Sequence, residues 1–373
     1  MFVSDRDSAD GSWSSADRLL ADAARAAAGA SARLKTARID LFVVADSRLS
    51  DQQRIAMARI LSGLVTAVED EFRRRLVELL DEAVTPELVA ALGTARVEIA
   101  VPILDRARLL HNDELVAILL RRADEHRLAS ALRGVDEAAG GERAGLIDRL
   151  LGHPGEGVAA AAMALLIAES RRFDRFGDPI LARTDLPAEM QHRLVWWVAA
   201  ALRDYMVDRH AIAPAAADRP IVAAAMAILA GYDEGETLEG RAFALANRLQ
   251  PADALDDRLL ADAVAEGRLA LFAAALSLRA GVEGTAAWDS IADQSGSRLA
   301  VLLRAIECQR DIAAGIMFRL ADAHCRPDDE IAAHIDAFEQ LDRDRAREAL
   351  RPWRLDSDYR RAIAALATPG DGR

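Results

Sequence analysis

The chain has 373 residues and a formal charge of −13, and although 52% of it is hydrophobic only 5% is aromatic, so Ala and Leu carry the apolar content. Both are strong helix formers, which points to an all-α protein. The acidic excess disfavours broad nucleic-acid binding, since a duplex binder needs Lys and Arg to displace counterions from phosphates.

The first eleven residues are polar and acidic, unlike a secretory signal, and are expected to be disordered. Helices are expected over 14–29 and 32–45. Ser50-Asp-Gln-Gln53 has the form of a capping box and opens a long helix. In it Met57, Leu61, Leu64, Val68, Phe72, Leu76 and Leu79 recur at spacings of three and four and define one buried face.

Three short amphipathic helices are then expected in succession: Thr85 to Gly93, with Thr as cap and Pro86 at the first helical position, Val97 to Leu104, and Asn112 to Leu120. Helices of that length must stack on neighbours to bury their apolar faces. The same opening recurs at Asp185-Leu-Pro, Gln250-Pro-Ala-Asp and Arg326-Pro-Asp-Asp. The spacing is uneven, so the expected architecture is an irregular HEAT-like α-solenoid.

Residues 1–46 are read as a disordered start with N-terminal helices and 47–210 as a first helical block. The proline-bearing 211–220 is read as a linker, 221–366 as a second block, and 367–373 as a disordered tail. Trp353, Tyr359 and Ile363 are expected to seal the end of the array. The apolar runs Val158–Ala168 and Leu194–Leu202 are too short to cross a bilayer. Two cysteines, Cys308 and Cys325, make no disulfide framework and suit a reducing cytoplasm.

The long helix ending in Arg-Arg-Arg-Leu76, the Thr-Pro-Glu-Leu-Val run, the Ala-Val-Pro-Ile-Leu-Asp helix and the segment Asp185 to Arg203 together resemble an alphaproteobacterial family of unknown function with HEAT-like repeats. The resemblance covers about residues 40–364. It implies a helical-repeat fold and a bacterial source, and it carries no catalytic residues over to this chain.

Motifs for chemistry are sparse. The glycines of Gly140-Gly141-Glu-Arg-Ala-Gly145 fit a turn between helices better than a nucleotide loop. Cys308, His324, Cys325 and His334 lack zinc-ligand spacing, and adjacent His324 and Cys325 point about 100° apart on a helix. We therefore expect no metal and no cofactor. His111 precedes an Asn-Asp cap, so it suits a loop better than a phosphoacceptor helix.

Binding residues are the sharper expectation. Trp196 and Trp197 cannot share one helix face. Met190, Leu194, Trp197, Val198, Ala201 and Tyr205 form the apolar stripe, which leaves Trp196 beside His192 and Arg203 on a more polar face. Trp and Arg are enriched at binding hot spots. Arg171, Arg172, Arg175 and Arg183 form a basic cluster suited to an acidic partner. The expected function is a non-catalytic, cytoplasmic interaction scaffold whose partner is another protein. The alternatives are a phosphorelay component and a helical-repeat enzyme such as a DNA-base glycosylase.

Overall fold

The computed structural model describes residues 14–26, 51–80, 86–93, 97–138 and 145–367. These residues are mostly helical, and among them there is no strand, only an isolated bridge between Phe173 and Pro179. The expected disordered start, the 32–45 helix, the Ser50 and Thr85 caps and residues 368–373 lie outside the described residues.

Helix α1 covers 15–26. The next four are α2 (Asp51–Leu79), α3 (Pro86–Gly93), α4 (Ala100–Arg106) and α5 (Asp113–Ala138). Two short helices, α6 (Leu146–Leu151) and α7 (Val158–Ser170), precede the long α8 (Ala188–His210) and α9 (Pro214–Ala230). Then come α10 (Leu238–Leu249), α11 (Asp257–Ala265), α12 (Leu269–Ala280), α13 (Gly284–Ala292) and α14 (Ser297–Ala305). The last four are α15 (Arg310–Ala323), α16 (Asp328–Gln340), α17 (Arg343–Ala349) and α18 (Ser357–Ala367).

The apolar face read along α2 is buried from Met57 to Leu76, while Leu79 at its end is 51% exposed. The second and third of the expected short helices differ from expectation. The helix read from Val97 starts at Ala100, because Glu69 of α2 reaches across and accepts from the backbone N–H groups of Ile99 at 3.1 Å and Ala100 at 2.7 Å. A carboxylate there satisfies the orphan donors of the helix start. Buried Arg73 pairs with Glu69 and also donates to the Val97 carbonyl. The helix opened by Asn112, whose Oδ1 accepts from Glu114 and Leu115 N–H at 3.1 Å, runs on for 26 residues. No Gly or Pro interrupts it before Gly134.

That long α5 joins two separate apolar cores. Its Leu115, Val116, Leu119 and Ala123 belong to the first, with α2, α3, α4, α8 and α9. Its Leu128, Ala129 and Leu132 belong to the second, with α1, α6, α7 and helices α10 to α17. Among the described residues the path therefore runs from the second core into the first, returns through α5, goes back for α8 and α9, and re-enters the second.

The cores consequently do not divide at 211–220. Only 211–213 is non-helical there, and Pro214 opens α9, where a missing N–H is harmless. Pro220 lies within the helix, six residues further on. Ala217 and Ile221 are buried in the first core. Near the C-terminal end, Trp353 is buried under the Arg298 guanidinium, 4.9 Å from the ring centre. Tyr359 and Ile363 do not share that role, being 58% and 44% exposed.

Candidate binding site

The two cores meet at a buried ionic cluster. Arg172, just past the end of α7, sends Nε to Asp185 at 2.9 Å, Nη1 to Glu125 at 2.9 Å and Nη2 to Glu239 at 3.0 Å. Arg122 of α5 donates from Nε to the Ile180 carbonyl at 3.0 Å and from Nη2 to the Arg172 carbonyl at 2.6 Å. Arg121 approaches Glu239 at 3.3 Å. Asp185 accepts from the Leu238 N–H at the start of α10, at 3.1 Å. Three guanidinium groups thus face three carboxylates, one set drawn from α5, the α7–α8 connection and α10. Such a group is tolerable in the interior because every charge has an opposite neighbour.

The charges respond as their surroundings require. Burial pulls Arg122 down to about 10, with Glu125 opposing. Burial also raises the Asp185 carboxyl, against the pull of Arg172. For Glu239, burial works against the ionised form but is outweighed by Arg172 and then Arg121, which hold it at about 2. A cleft of about 160 Å3 opens over this cluster, with Ile118, Leu181 and Pro187 among its walls.

The cluster also fixes the base of a loop. The Ile180 N–H donates to the Arg172 carbonyl at 2.9 Å, closing residues 172–180 into a hairpin. Phe173 lies beneath the Arg122 and Arg133 guanidinium groups, 5.5 and 5.8 Å from the ring centre. Beyond it, Asp174 Oδ1 accepts from the N–H groups of Phe176 at 2.8 Å and Asp178 at 2.9 Å. Gly177 takes a φ of 83°, which a side chain would strain. The result is a braced tip carrying Phe176, 75% exposed, with the Arg175 guanidinium 4.6 Å from its ring.

The residues singled out from sequence fall into separate places. Arg172 is buried in the cluster, so it is not part of a basic surface. Arg171 stays 44% exposed near Glu236 at 3.8 Å, Arg175 is at the loop tip, and Arg183 is half-buried in a one-turn helix before α8. Sequence spacing grouped these four, but burying Arg172 against three carboxylates splits them.

On α8, the Trp196 Nε1–H donates to His192 Nε2 at 3.1 Å, and Arg203 pairs with Asp218 of α9. Trp196 and Trp197 are both half-buried against the first core, as is Tyr205. His192, Trp196, Ala200 and Arg203 therefore run as one ridge along the outer side of α8. His111 sits in a one-turn helix and contacts Asp105 at 3.2 Å. Cys308 is buried beside Asp257, and its thiol is pushed up to about 12 by burial and then by that carboxylate. His324 bonds the Ile291 carbonyl and His334 contacts Ser297. Among the described residues no group of three or more His, Cys, Asp or Glu is placed to hold a metal ion.

Phe176 was not anticipated. Its signal is the Asp174-Arg-Phe-Gly177 run followed by Pro179, a turn whose tip residue is aromatic.

Fold and site together define an all-helical protein of two interleaved cores, clasped by a buried ion cluster that braces an aromatic-tipped loop. The chain belongs to the bacterial family described as "Uncharacterised protein conserved in bacteria (DUF2336)", whose model matches residues 99–351. No curated protein and no solved structure matches it. No single helix among the described residues is long and apolar enough to cross a membrane.

Proposed function

We propose that this protein is a non-catalytic interaction module that docks another protein through the 173–179 loop, with the α8 ridge as a second contact. The observation that carries the reading is Phe176, a large aromatic held in water on a loop with almost no freedom left to lose. An isolated exposed apolar residue is ordinary. One braced by two side-chain hydrogen bonds, a guanidinium and a buried ion cluster is pre-organised, which lowers the ordering cost of binding. Arg175 beside it adds the second residue type typical of hot spots. Trp196, fixed by His192, supplies a further anchor with Arg203 at the end of the ridge. The short stacked helices of the second core fit a HEAT-like array presenting such surfaces, and a cytoplasmic bacterial protein is the setting we favour.

The test is affinity capture of the tagged full chain from its host, set against Phe176→Ala, Gly177→Ala and Trp196→Ala. The expected result is one bound protein, lost with Phe176→Ala and weakened with Gly177→Ala, the latter at a stability cost of about 1 kcal/mol for the left-handed residue. Phe176→Ala should leave the melting temperature unchanged. A bound protein retained at full strength by Phe176→Ala would remove the loop from the interface.

A further inference from the structure

Helix α7 is uncharged from Val158 to Ala168, and its outer side is open to water. Met163, Leu166 and Ile167 are 44%, 36% and 46% exposed, with exposed Ala160 in line one turn before Met163. α10 lies antiparallel beside α7, since Gly157 packs over the Arg248 guanidinium and Arg171 meets Glu236 at the other end. That register brings Phe243, 43% exposed, level with Met163 and widens the apolar face.

The order of side chains along α7 is asymmetric. Its N-terminal half is small, Gly157 and Ala159 to Ala162, and its C-terminal half is large, with Met163 and Leu165 to Ile167. A two-fold axis between Met163 and Ala164 would lay the helix antiparallel on a second copy of itself. Large residues would then meet small ones: Ile167 opposite the partner's exposed Ala160 and Met163 opposite the partner's half-buried Ala164. The same axis sets exposed Glu156 against the partner's Arg171, twice over, because in a two-fold contact each pair occurs in both directions. A helix whose shape and end charges are both self-complementary is suited to its own copy, even in a chain of charge −13.

We propose that this face is a homodimer interface, with α7 packed antiparallel on the α7 of a second copy about an axis at Met163. The proposal does not rest on the 173–179 loop.

The test is sedimentation velocity and light scattering on the full chain. The expected result is a particle of twice 40.3 kDa that dissociates on dilution, because one helix pair with its flanks is a small interface. Met163→Glu should raise the dissociation constant at least about 100-fold, since two carboxylates would be brought together out of water. Its helix content, and its melting temperature at dilutions where both proteins are monomers, should stay unchanged. Glu156→Arg and Arg171→Glu should each weaken the dimer about tenfold and restore it when combined, as a pair crossing the axis twice requires. Phe176→Ala should still dimerise, which separates this outcome from the failure of the docking loop. The proposal is overturned by a monomer at every concentration, by a dimer that survives Met163→Glu, or by Met163-dependent binding to lipid vesicles in place of dimerisation.

Discussion

The first core is dominated by long helices, with α2, α8 and α9 running for 29, 23 and 17 residues beside the short α3 and α4. The second, beyond α5, uses many helices of 6 to 14 residues. Long helices carry much of their own cooperativity, whereas short ones exist only through packing. The first core should therefore hold its helices when packing is loosened, and the second should lose helix and packing together. What couples them is α5 and the charges beside it, and that coupling is where the comparison can be broken.

The largest effect is expected from Arg172→Met. It removes the ion pair of buried Asp185 and leaves Glu125 and Glu239 with only Arg122 and Arg121, and a buried ion pair that loses one member costs about 3–5 kcal/mol. Because the lost contacts join the two cores, denaturation followed by circular dichroism should split from one transition into two. A single transition with an unchanged midpoint would show that α5 alone couples the cores.

The next effect separates the halves of α5. Leu119 and Leu128 are both fully buried, the first in the first core and the second in the second. Leu→Ala at either site should cost about 2–5 kcal/mol. Hydrogen exchange is the discriminating measurement. Leu128→Ala should speed exchange across α10 to α15 while sparing α2 and α8, and Leu119→Ala should do the reverse. Uniform acceleration in both variants would mean that the cores open as one unit.

The smallest effect sharpens the electrostatic part. Glu239 is held at about 2, below its usual 4.5, so its contribution to stability is present above 4.5 and is lost as pH falls toward 2. Asp185 is shifted the opposite way, so total stability blends both signs. Subtracting the Glu239→Gln variant isolates Glu239. The difference between the two proteins should be about 1–2 kcal/mol near neutrality, discounted because the Glu239 side chain is 40% exposed. It should shrink between pH 4.5 and 2, and a difference that is flat with pH would mean that Arg172 does not stabilise the charged form.

Much of the fold was legible from local signals. Spacing of apolar residues gives the buried face of α2 and cap chemistry gives the start at Asn112, whereas Pro214, which opens α9, reads as part of a linker. Proline is ambiguous there because the same residue ends one helix and begins another. The division into two cores was not legible, since it depends on which distant helices meet, and neither α5's double membership nor α1's place with α17 leaves a local trace. The site was legible in part. Arg172 stood out as one of a charged group, but its three carboxylate partners lie 47, 13 and 67 positions away, and no pattern in the chain ties them to it. Trp196 and His192 were legible as neighbours because i,i+4 pairs meet on any helix.

The chain's return to the second core has a consequence for its synthesis. α1 lays Ala16, Leu19 and Ala23 into that core, and Asp17 pairs with Arg345, 328 residues later. At about 5–20 residues per second, a ribosome needs between about 15 and 65 s to supply that partner. During the whole of that interval the nascent helix has no finished surface to dock on, so it leaves the ribosome long before the part of the core that receives it.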